Sequence, residues 1–412
     1  MSKQLTIGLF GFGCVGQGLY DVLKNSKQFT AEFKRICIKD PNKKRSLDEK
    51  LFTTNKWDLL NDEEINTIVE LIDDPEEAYS IITTSLKLGK NVVTANKKVV
   101  AEHLEELILL QKEYNSSLIY EASACGGIPI IRTLEEYYDN EELTSISGIF
   151  NGSSNFILTK IYQEGLSYNE ALKQAQGLGF AETDPTLDVE GYDPKYKLVI
   201  LALHAFGVVL NPNRVFNSGI SNIGKTEFKL YRETRIAVKL NPVLKQTENG
   251  DVIAYVLPQL ILPSHQLYNV NNEYNAVVVE GLFSNEQLFI GKGAGGHPTG
   301  SAVLSDISAL SYNYRYSYKK YFQGNQPYQN NLSKLPLYIS GKRSSLEFIF
   351  PGSEIVEIEG KATVITERSI DWLIQNQTIL NKEGLFVAKI HEDVDYFLKD
   401  WQNQFKHQEV FA

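Results

Sequence analysis

Gly11-Phe12-Gly13-Cys14-Val15-Gly16 follows directly on the apolar run Leu5–Phe10 and directly precedes the helical pattern Gln17–Lys24. Glycines spaced G-x-G-x-x-G between a strand and a helix allow a tight turn and a close backbone approach to a pyrophosphate, whose charge then meets the helix N-terminus. Six residues alone would also suit a glycine-rich turn without a ligand. The chain beyond them narrows the choice, because further apolar runs follow at Phe33–Ile38, Thr67–Ile72, Asn91–Thr94 and Ser117–Tyr120. Helical segments lie between the later runs, at about Glu76–Leu88 and Lys98–Tyr114, the second with Val100, Leu104, Leu107 and Ile108 along one side. Strands separated by helices predict an α/β fold with a Rossmann-type, doubly wound parallel sheet.

With 412 residues the chain has room for two or three domains. The dinucleotide-binding domain is expected over 1–130, completed by about 300–322, where Thr299–Leu310 is again helical in pattern. A mixed α+β domain is expected over 131–299, with helices near Asn155–Gln163, Tyr168–Gln176 and Pro194–Phe206, then strands near Asp251–Leu257, Ala276–Leu282 and Gln287–Ile290. A polar stretch at Gln323–Ser333 reads as a linker to a small α+β segment over 334–412 of open role. There, strands are expected at Leu335–Ser340, Ser345–Phe350 and Glu354–Glu359, and helices at Arg368–Gln377 and Val394–Phe405.

Lys and Arg total 41 against 51 Asp and Glu, a net charge of −10, which repels nucleic acid and anionic membranes overall. No apolar run approaches the ~20 residues of a membrane span, and Met1–Lys3 opens no secretory signal, so a cytoplasmic location is expected. Cys14, Cys37 and Cys125 are three and well separated, which suits reduced thiols, and the six histidines show no metal-binding spacing.

After the second apolar run come Lys39-Asp40-Pro41-Asn42-Lys43-Lys44-Arg45, where a carboxylate suits NAD and a cation suits NADP. Lys39, Lys43 and Arg45 form a local basic patch, which favours NADP with NAD tolerated; a solvated turn would look the same. Asn91–Lys97 and Glu121–Pro129 lie at the C-terminal ends of strands, where open α/β sheets bind ligands. Cys125 in the second stretch is either a nucleophile or a small buried thiol; no histidine is near it in sequence. The densest polar cluster, Gly179–Lys197, places five carboxylates before Lys195 and Lys197. Asp193 before Pro194 reads as a helix cap, and Lys197 would then lie one turn in on the same face. A lysine there can donate a proton to a carbonyl oxygen as hydride arrives, and spare carboxylates can hold a substrate ammonium; a solvated acidic loop is the plainer reading.

From about Leu5 to Ile307 the sequence resembles homoserine dehydrogenases. The resemblance is carried by Ala175-x3-Gly179 through Asp184-Pro185, Asp188, Gly191, Asp193 and Lys197, by Gly148–Asn155, and by Gly293-Ala294-Gly295-Gly296 with Pro298-Thr299. It implies reversible NAD(P)H-dependent reduction of L-aspartate 4-semialdehyde to L-homoserine, a step of threonine and methionine biosynthesis. It further implies Lys197 as proton donor with Asp193, Lys97 beside both cofactor and substrate, and Glu182 and Asp193 at the substrate's amino end. The glycine turn from Gly11 to Gly16, including Phe12, Gly13, Cys14 and Val15, would hold the cofactor together with Lys39, Arg45, Thr94, Lys97 and Gly295. Backbone carbonyls of Ala124, Gly126 and Ile128, with Glu121 nearby, would hold a monovalent cation such as sodium. The family also implies a homodimer built through the middle, substrate-binding domain.

One departure stands out: many relatives end in a regulatory ACT domain with a D-x-P-G-V-L-like turn after its first strand, and Phe350-Pro351-Gly352-Ser353 is the nearest match. The motif therefore leaves threonine feedback open, and the tail reads as either a diverged or an unrelated small domain. No kinase region precedes Met1, which suggests a monofunctional enzyme. Two rivals remain at this stage: a semialdehyde dehydrogenase forming a thioester at Cys125, and a non-catalytic NADP-binding sensor.

Overall fold

A computed structural model of the chain describes residues 5–27, 29, 31–45, 47–323 and 327–409, the side chains of 406–409 excepted. Met1–Lys3 and the part of the expected linker at 324–326 lie outside the described residues. The chain divides into two compact units, one made of 1–140, 199–209 and 291–326, the other of 141–198, 210–290 and 327–412.

The first unit is built on six parallel strands: β1 (Thr6–Phe10), β2 (Glu32–Cys37), β3 (Phe52–Thr53), β4 (Thr67–Glu70), β5 (Asn91–Thr94) and β6 (Leu118–Ile119). Their order, β3-β2-β1-β4-β5-β6, is the doubly wound order expected of a dinucleotide-binding sheet. Ile7, Leu9, Ile68, Val69, Val92 and Val93 are fully buried, as strands covered on both faces require. Helices Cys14–Asn25, Pro75–Lys87 and Lys97–Glu113 connect the strands. The second opens on Asp74, which accepts from the amides of Glu76 and Glu77, with Pro75 at its first position. Helix Gly296–Ser311 crosses helix Cys14–Asn25 at backbone contact, since a Cβ on Gly18 or Gly300 would collide with the other helix's main chain.

The second unit carries a ten-stranded sheet. Its strands are β7 (Leu143–Ile149), β8 (Phe216–Asn217), β9 (Ala237–Gln246), β10 (Val252–Ile261), β11 (Tyr274–Gly281), β12 (Asn285–Lys292), β13 (Lys334–Gly341), β14 (Ile355–Ile358), β15 (Lys361–Ser369) and β16 (Phe386–Ile390). The order is β12-β11-β7-β9-β10-β16-β13-β15-β14, with β8 beside β10. β10 and β16 join through two parallel register pairs, Gln259↔Lys389 and Leu260↔Ile390. The C-terminal strands therefore extend the middle sheet, and one apolar core containing Phe216, Leu257, Leu337, Ile339 and Val387 runs through both parts. The expected linker is itself paired, as Asn330 donates to Val252 O at 2.7 Å and Val252 to Tyr328 O at 2.8 Å.

Within 334–412 the chain runs β13, helix Arg343–Ile349, β14, β15, helix Ile370–Lys382, β16, and its first to fourth strands lie in the order 4-1-3-2. This is the ferredoxin-like βαββαβ pattern. The strand expected at Ser345–Phe350 is a helix. Leu346, Phe348 and Phe350 alternate as in a strand, but only Leu346 and Phe350, four apart, are buried, and Phe348 is 74% exposed. The nearest match to the missing turn, Phe350–Ser353, thus follows the first helix and not the first strand.

Candidate active site

At the nucleotide end, each glycine of the turn meets a different demand. Gly11 has φ +90° and a Cβ there would collide with the Leu71 carbonyl; a Cβ on Gly16 would collide with the Gly11 carbonyl. Gly13 differs, because a Cβ on it meets nothing within 4 Å. Space in front of Gly13 is what an approaching pyrophosphate needs. Gly13 is also the N-cap of helix Cys14–Asn25, with no capping side chain and no acid in the first turn, so the helix N-terminus keeps its positive end for an anion. Phe12 is buried and packs edge-on to Phe52, while Cys14 is exposed. Gly295, at φ +120°, caps helix Gly296–Ser311, and Gly296 lies against Cys14, so the late glycine turn meets the first one.

Beyond β2, Lys39 is exposed. Arg45 folds back: its Nη1 donates to the carbonyls of Asp40 (2.9 Å) and Lys43 (2.7 Å), and its guanidinium lies over Phe52. At the ends of β4 and β5, Thr94 Oγ1 donates to Glu70 Oε2 at 2.6 Å, and Ile72 N donates to Glu70 Oε1 at 2.7 Å. Glu70 is fully buried, and burial pushes its carboxyl up to about 7 despite both hydrogen bonds. An acid raised in the fold holds a proton that the unfolded chain releases above about 4.5. Its contribution to stability is thus full below that value and lost as pH rises through about 7. Melting curves between pH 5 and 8 should show Glu70→Gln flattening this part of the slope; an unchanged slope would mean that Glu70 does not titrate there. Lys97 opens helix Lys97–Glu113 just after β5, behind Asn96, whose side chain caps the helix by accepting from Val99 N.

The second unit gathers the polar cluster. Helix Tyr192–Phe206 starts one residue before the expected cap, so Asp193 stands inside its first turn and does more than begin it. Lys197 Nζ donates to Asp193 Oδ2 and to the Phe150 carbonyl, both at 2.6 Å, and both side chains are buried. Asn151 Nδ2 donates to Asp193 Oδ2 at 2.9 Å and to Asp188 Oδ1 at 2.6 Å, while its Oδ1 accepts from Ser154 N and caps helix Gly152–Glu164. An ammonium has three donors, and the described contacts of Lys197 take two of them. Lys195, by contrast, is turned to Asn217 Oδ1 at 2.8 Å and lies over the Tyr192 ring. Glu182 is not drawn into this knot: its side chain is exposed, and its carbonyl accepts from Gln176. Asp184 serves its own turn, bonded to Thr186.

In the first unit the Glu121–Ile128 turn is tight and buried except at Gly127, with Cys125 at φ +54° and Gly126 at φ +55°. A Cβ on Gly126 would collide with the Gly293 carbonyl. Glu121 is committed to this turn, since its two oxygens accept from Ile131 N and Arg132 N. Burial raises both Glu121 and Asp306, and the neighbouring Glu121 adds to the rise at Asp306. Cys125 is fully buried. Among the described residues, no three His, Cys, Asp or Glu side chains gather as metal ligands, and no helix is long and apolar enough to cross a membrane.

Known proteins match along the same two regions. The family model "Homoserine dehydrogenase, NAD binding domain" matches residues 11–121, and "Homoserine dehydrogenase" matches residues 129–308. The chain belongs to the homoserine dehydrogenase family. A homoserine dehydrogenase of Lactococcus lactis is 38% identical over 314 residues, 74% of this chain and 73% of the relative. The crystal structure of a homoserine dehydrogenase from Thiobacillus denitrificans superposes with a TM-score of 0.80 at 28% identity, covering 94% of this chain and 98% of that one. A hyperthermophilic archaeal homoserine dehydrogenase in complex with NADPH has a TM-score of 0.64 at 26% identity, covering 76% and 99%. The protein is thus an NAD(P)-dependent oxidoreductase acting on a CH–OH group. Within the Gly148–Asn155 stretch that carries the family resemblance, sequence reasoning gave no role to Asn151, the amide that ties Asp188, Asp193 and the neighbouring helix together. An Asn-Gly pair after an apolar run signals a cap, and the helix was expected to begin only at Asn155.

Proposed function

We propose that Lys197 is the proton donor in the reduction of L-aspartate 4-semialdehyde to L-homoserine and the acceptor in the reverse direction. The observation that carries this reading is a buried ammonium with two donors fixed by Phe150 O and Asp193 and a third left for a substrate oxygen. A nicotinamide cofactor at the glycine turn supplies or takes the hydride. Lys197 gives a proton to the aldehyde oxygen as the carbon gains hydride, and takes it back from the hydroxyl on oxidation. Asp193, held from its other side by Asn151, fixes the lysine. Asp193 and Glu182 supply negative charge for the substrate's ammonium, and Lys97 serves cofactor and substrate at the end of β5.

NADP is the preferred cofactor in this reading and NAD is also accepted. Lys39, Lys43 and Lys44 are exposed cations of the loop after β2, Lys39 being the first beyond the strand, and Arg45 shapes that loop by holding its carbonyls. Replacing both with Ala should weaken NADPH about tenfold more than NADH, a difference of about 1.4 kcal/mol. Equal losses in a fluorescence titration would show that they do not read the 2′-phosphate.

The main-chain oxygens of Ala124, Gly126 and Ile128, on a turn with two left-handed residues beside Glu121, are hard donors that suit a monovalent cation such as sodium. A homodimer fits the exposed edge strand β12, where Leu288 and Ile290 face outward next to the exposed tip residues Leu282 and Phe283. The net charge and reduced-thiol pattern support a cytoplasmic enzyme with no nucleic-acid or membrane partner. The 1–130 segment with 300–322 would bind the dinucleotide, 131–299 the substrate and the second subunit, and 334–412 is a C-terminal domain of open role.

A further inference from the structure

Glu70 ends β4, and its carboxyl is completely removed from water where Ile68 and Val69 before it are apolar. Burying an acid costs free energy that another apolar side chain would not, unless its oxygens are used. Both are used. Glu70 Oε1 accepts from Ile72 N at 2.7 Å, and Oε2 accepts from Thr94 Oγ1 at 2.6 Å. Thr94 Oγ1 in turn accepts from Asn96 N at 2.9 Å, and Asn96 Nδ2 donates back to Ile72 O at 3.5 Å, the longest of the four. These hydrogen bonds close a ring between the loop after β4 and the loop after β5, with Glu70 and Thr94 paired in register across the two strands.

The ring borders ligand-facing chain on two sides. On one, Leu71 N donates to Phe10 O at 2.8 Å, and the Leu71 carbonyl stands where a Cβ on Gly11 would have to go, so the loop after β4 abuts the glycine turn. On the other, Asn96 caps the helix that opens at Lys97. In the order β3-β2-β1-β4-β5-β6 the reversal lies between β1 and β4, so a dinucleotide whose adenosine lies toward β2 turns its other half to β4 and β5. Thr94 is itself fully buried, its hydroxyl spent in the ring. We infer that Glu70 is a positioning residue for the nicotinamide half of the cofactor: buried out of a ligand's reach, it fixes through Ile72, Thr94 and Asn96 the two loops that form that subsite. The inference rests on the cofactor lying at the glycine turn.

Glu70→Ala opens the ring. Glu70→Gln keeps it closed, since the amide oxygen can accept from Ile72 N while the amide nitrogen donates to the second lone pair of Thr94 Oγ1. Calorimetric titration of the whole chain with NADPH and with 2′,5′-ADP, which lacks the nicotinamide half, separates positioning from general damage. Glu70→Ala is expected to raise the Kd for NADPH about tenfold, the scale of a lost buried hydrogen bond, and to leave that for 2′,5′-ADP within about twofold of wild type. Glu70→Gln should return NADPH affinity to within about threefold of wild type. Thr94→Val, which cuts the same ring with a side chain of similar shape, should show the same selective loss and carries the test if Glu70→Ala does not fold. Equal losses of the two ligands, wild-type NADPH affinity in the ring-cutting variants, or no recovery in Glu70→Gln would each overturn the assignment. Retention of both ligands by Gly13→Val would instead overturn the placement of the cofactor on which it rests.

Discussion

Lys197→Ala should lower kcat at least ~100-fold, the scale of a lost general acid, while NADPH binding stays within about twofold. The two readouts separate because Lys197 belongs to the polar cluster and not to the glycine turn. The substitution also strips the buried Asp193 carboxylate of its ammonium partner, so a lower melting temperature is expected alongside, in line with the ~3–5 kcal/mol cost of breaking a buried pair. Lys197→Arg keeps the charge but spreads it over a planar fork that does not fit between Phe150 O and Asp193, so it should recover stability better than turnover. If Lys197→Ala kept turnover within about threefold at saturating substrate, another group would have to move the proton.

Gly13→Val should abolish useful cofactor binding with little effect on the fold. The backbone at Gly13 is extended (φ −86°), and a Cβ there has open space within 4 Å beyond its chain neighbours, so thermal stability should change by less than about 0.5 kcal/mol, as at an unconstrained surface site. The same side chain would fill the space kept for the pyrophosphate, and the Kd for NADPH should rise at least ~100-fold, about 2.8 kcal/mol. Gly16→Val is the contrasting control, since its Cβ collides with the Gly11 carbonyl and should destabilise the protein itself. Unchanged NADPH affinity in a folded Gly13→Val protein would place the cofactor elsewhere.

The parallel sheet was legible because its cues are local. Short apolar runs, helices of regular period and a glycine turn at one junction fix both element type and order, and only the two-residue β3 carried too little pattern to be read. Lys197 and Asp193 were legible as a pair because i and i+4 share a helix face wherever the helix goes. Asn151 was not, for its bonds to Asp188 and Asp193 span 37 and 42 residues and no local spacing encodes them. β9 escaped notice because Pro242 and the buried Lys239 interrupt its apolar alternation; both sit in mid-strand beside β10. The helix at Arg343–Ile349 was misread because two-residue alternation of Leu346, Phe348 and Phe350 mimics a strand when only two of the three are needed for the core. The C-terminal segment looked separable by composition, yet Gln259 and Leu260 pair with β16 and the core is continuous.

Reduction of L-aspartate 4-semialdehyde by NADPH, followed at 340 nm for Lys197→Ala and Cys125→Ala side by side, tests the central claim most directly. Proton donation by Lys197 predicts at least a ~100-fold loss in the lysine variant and turnover close to wild type in the cysteine variant, whose thiol is fully buried on a tight turn. Loss of all turnover in Cys125→Ala with retention in Lys197→Ala would contradict it and point to thioester chemistry.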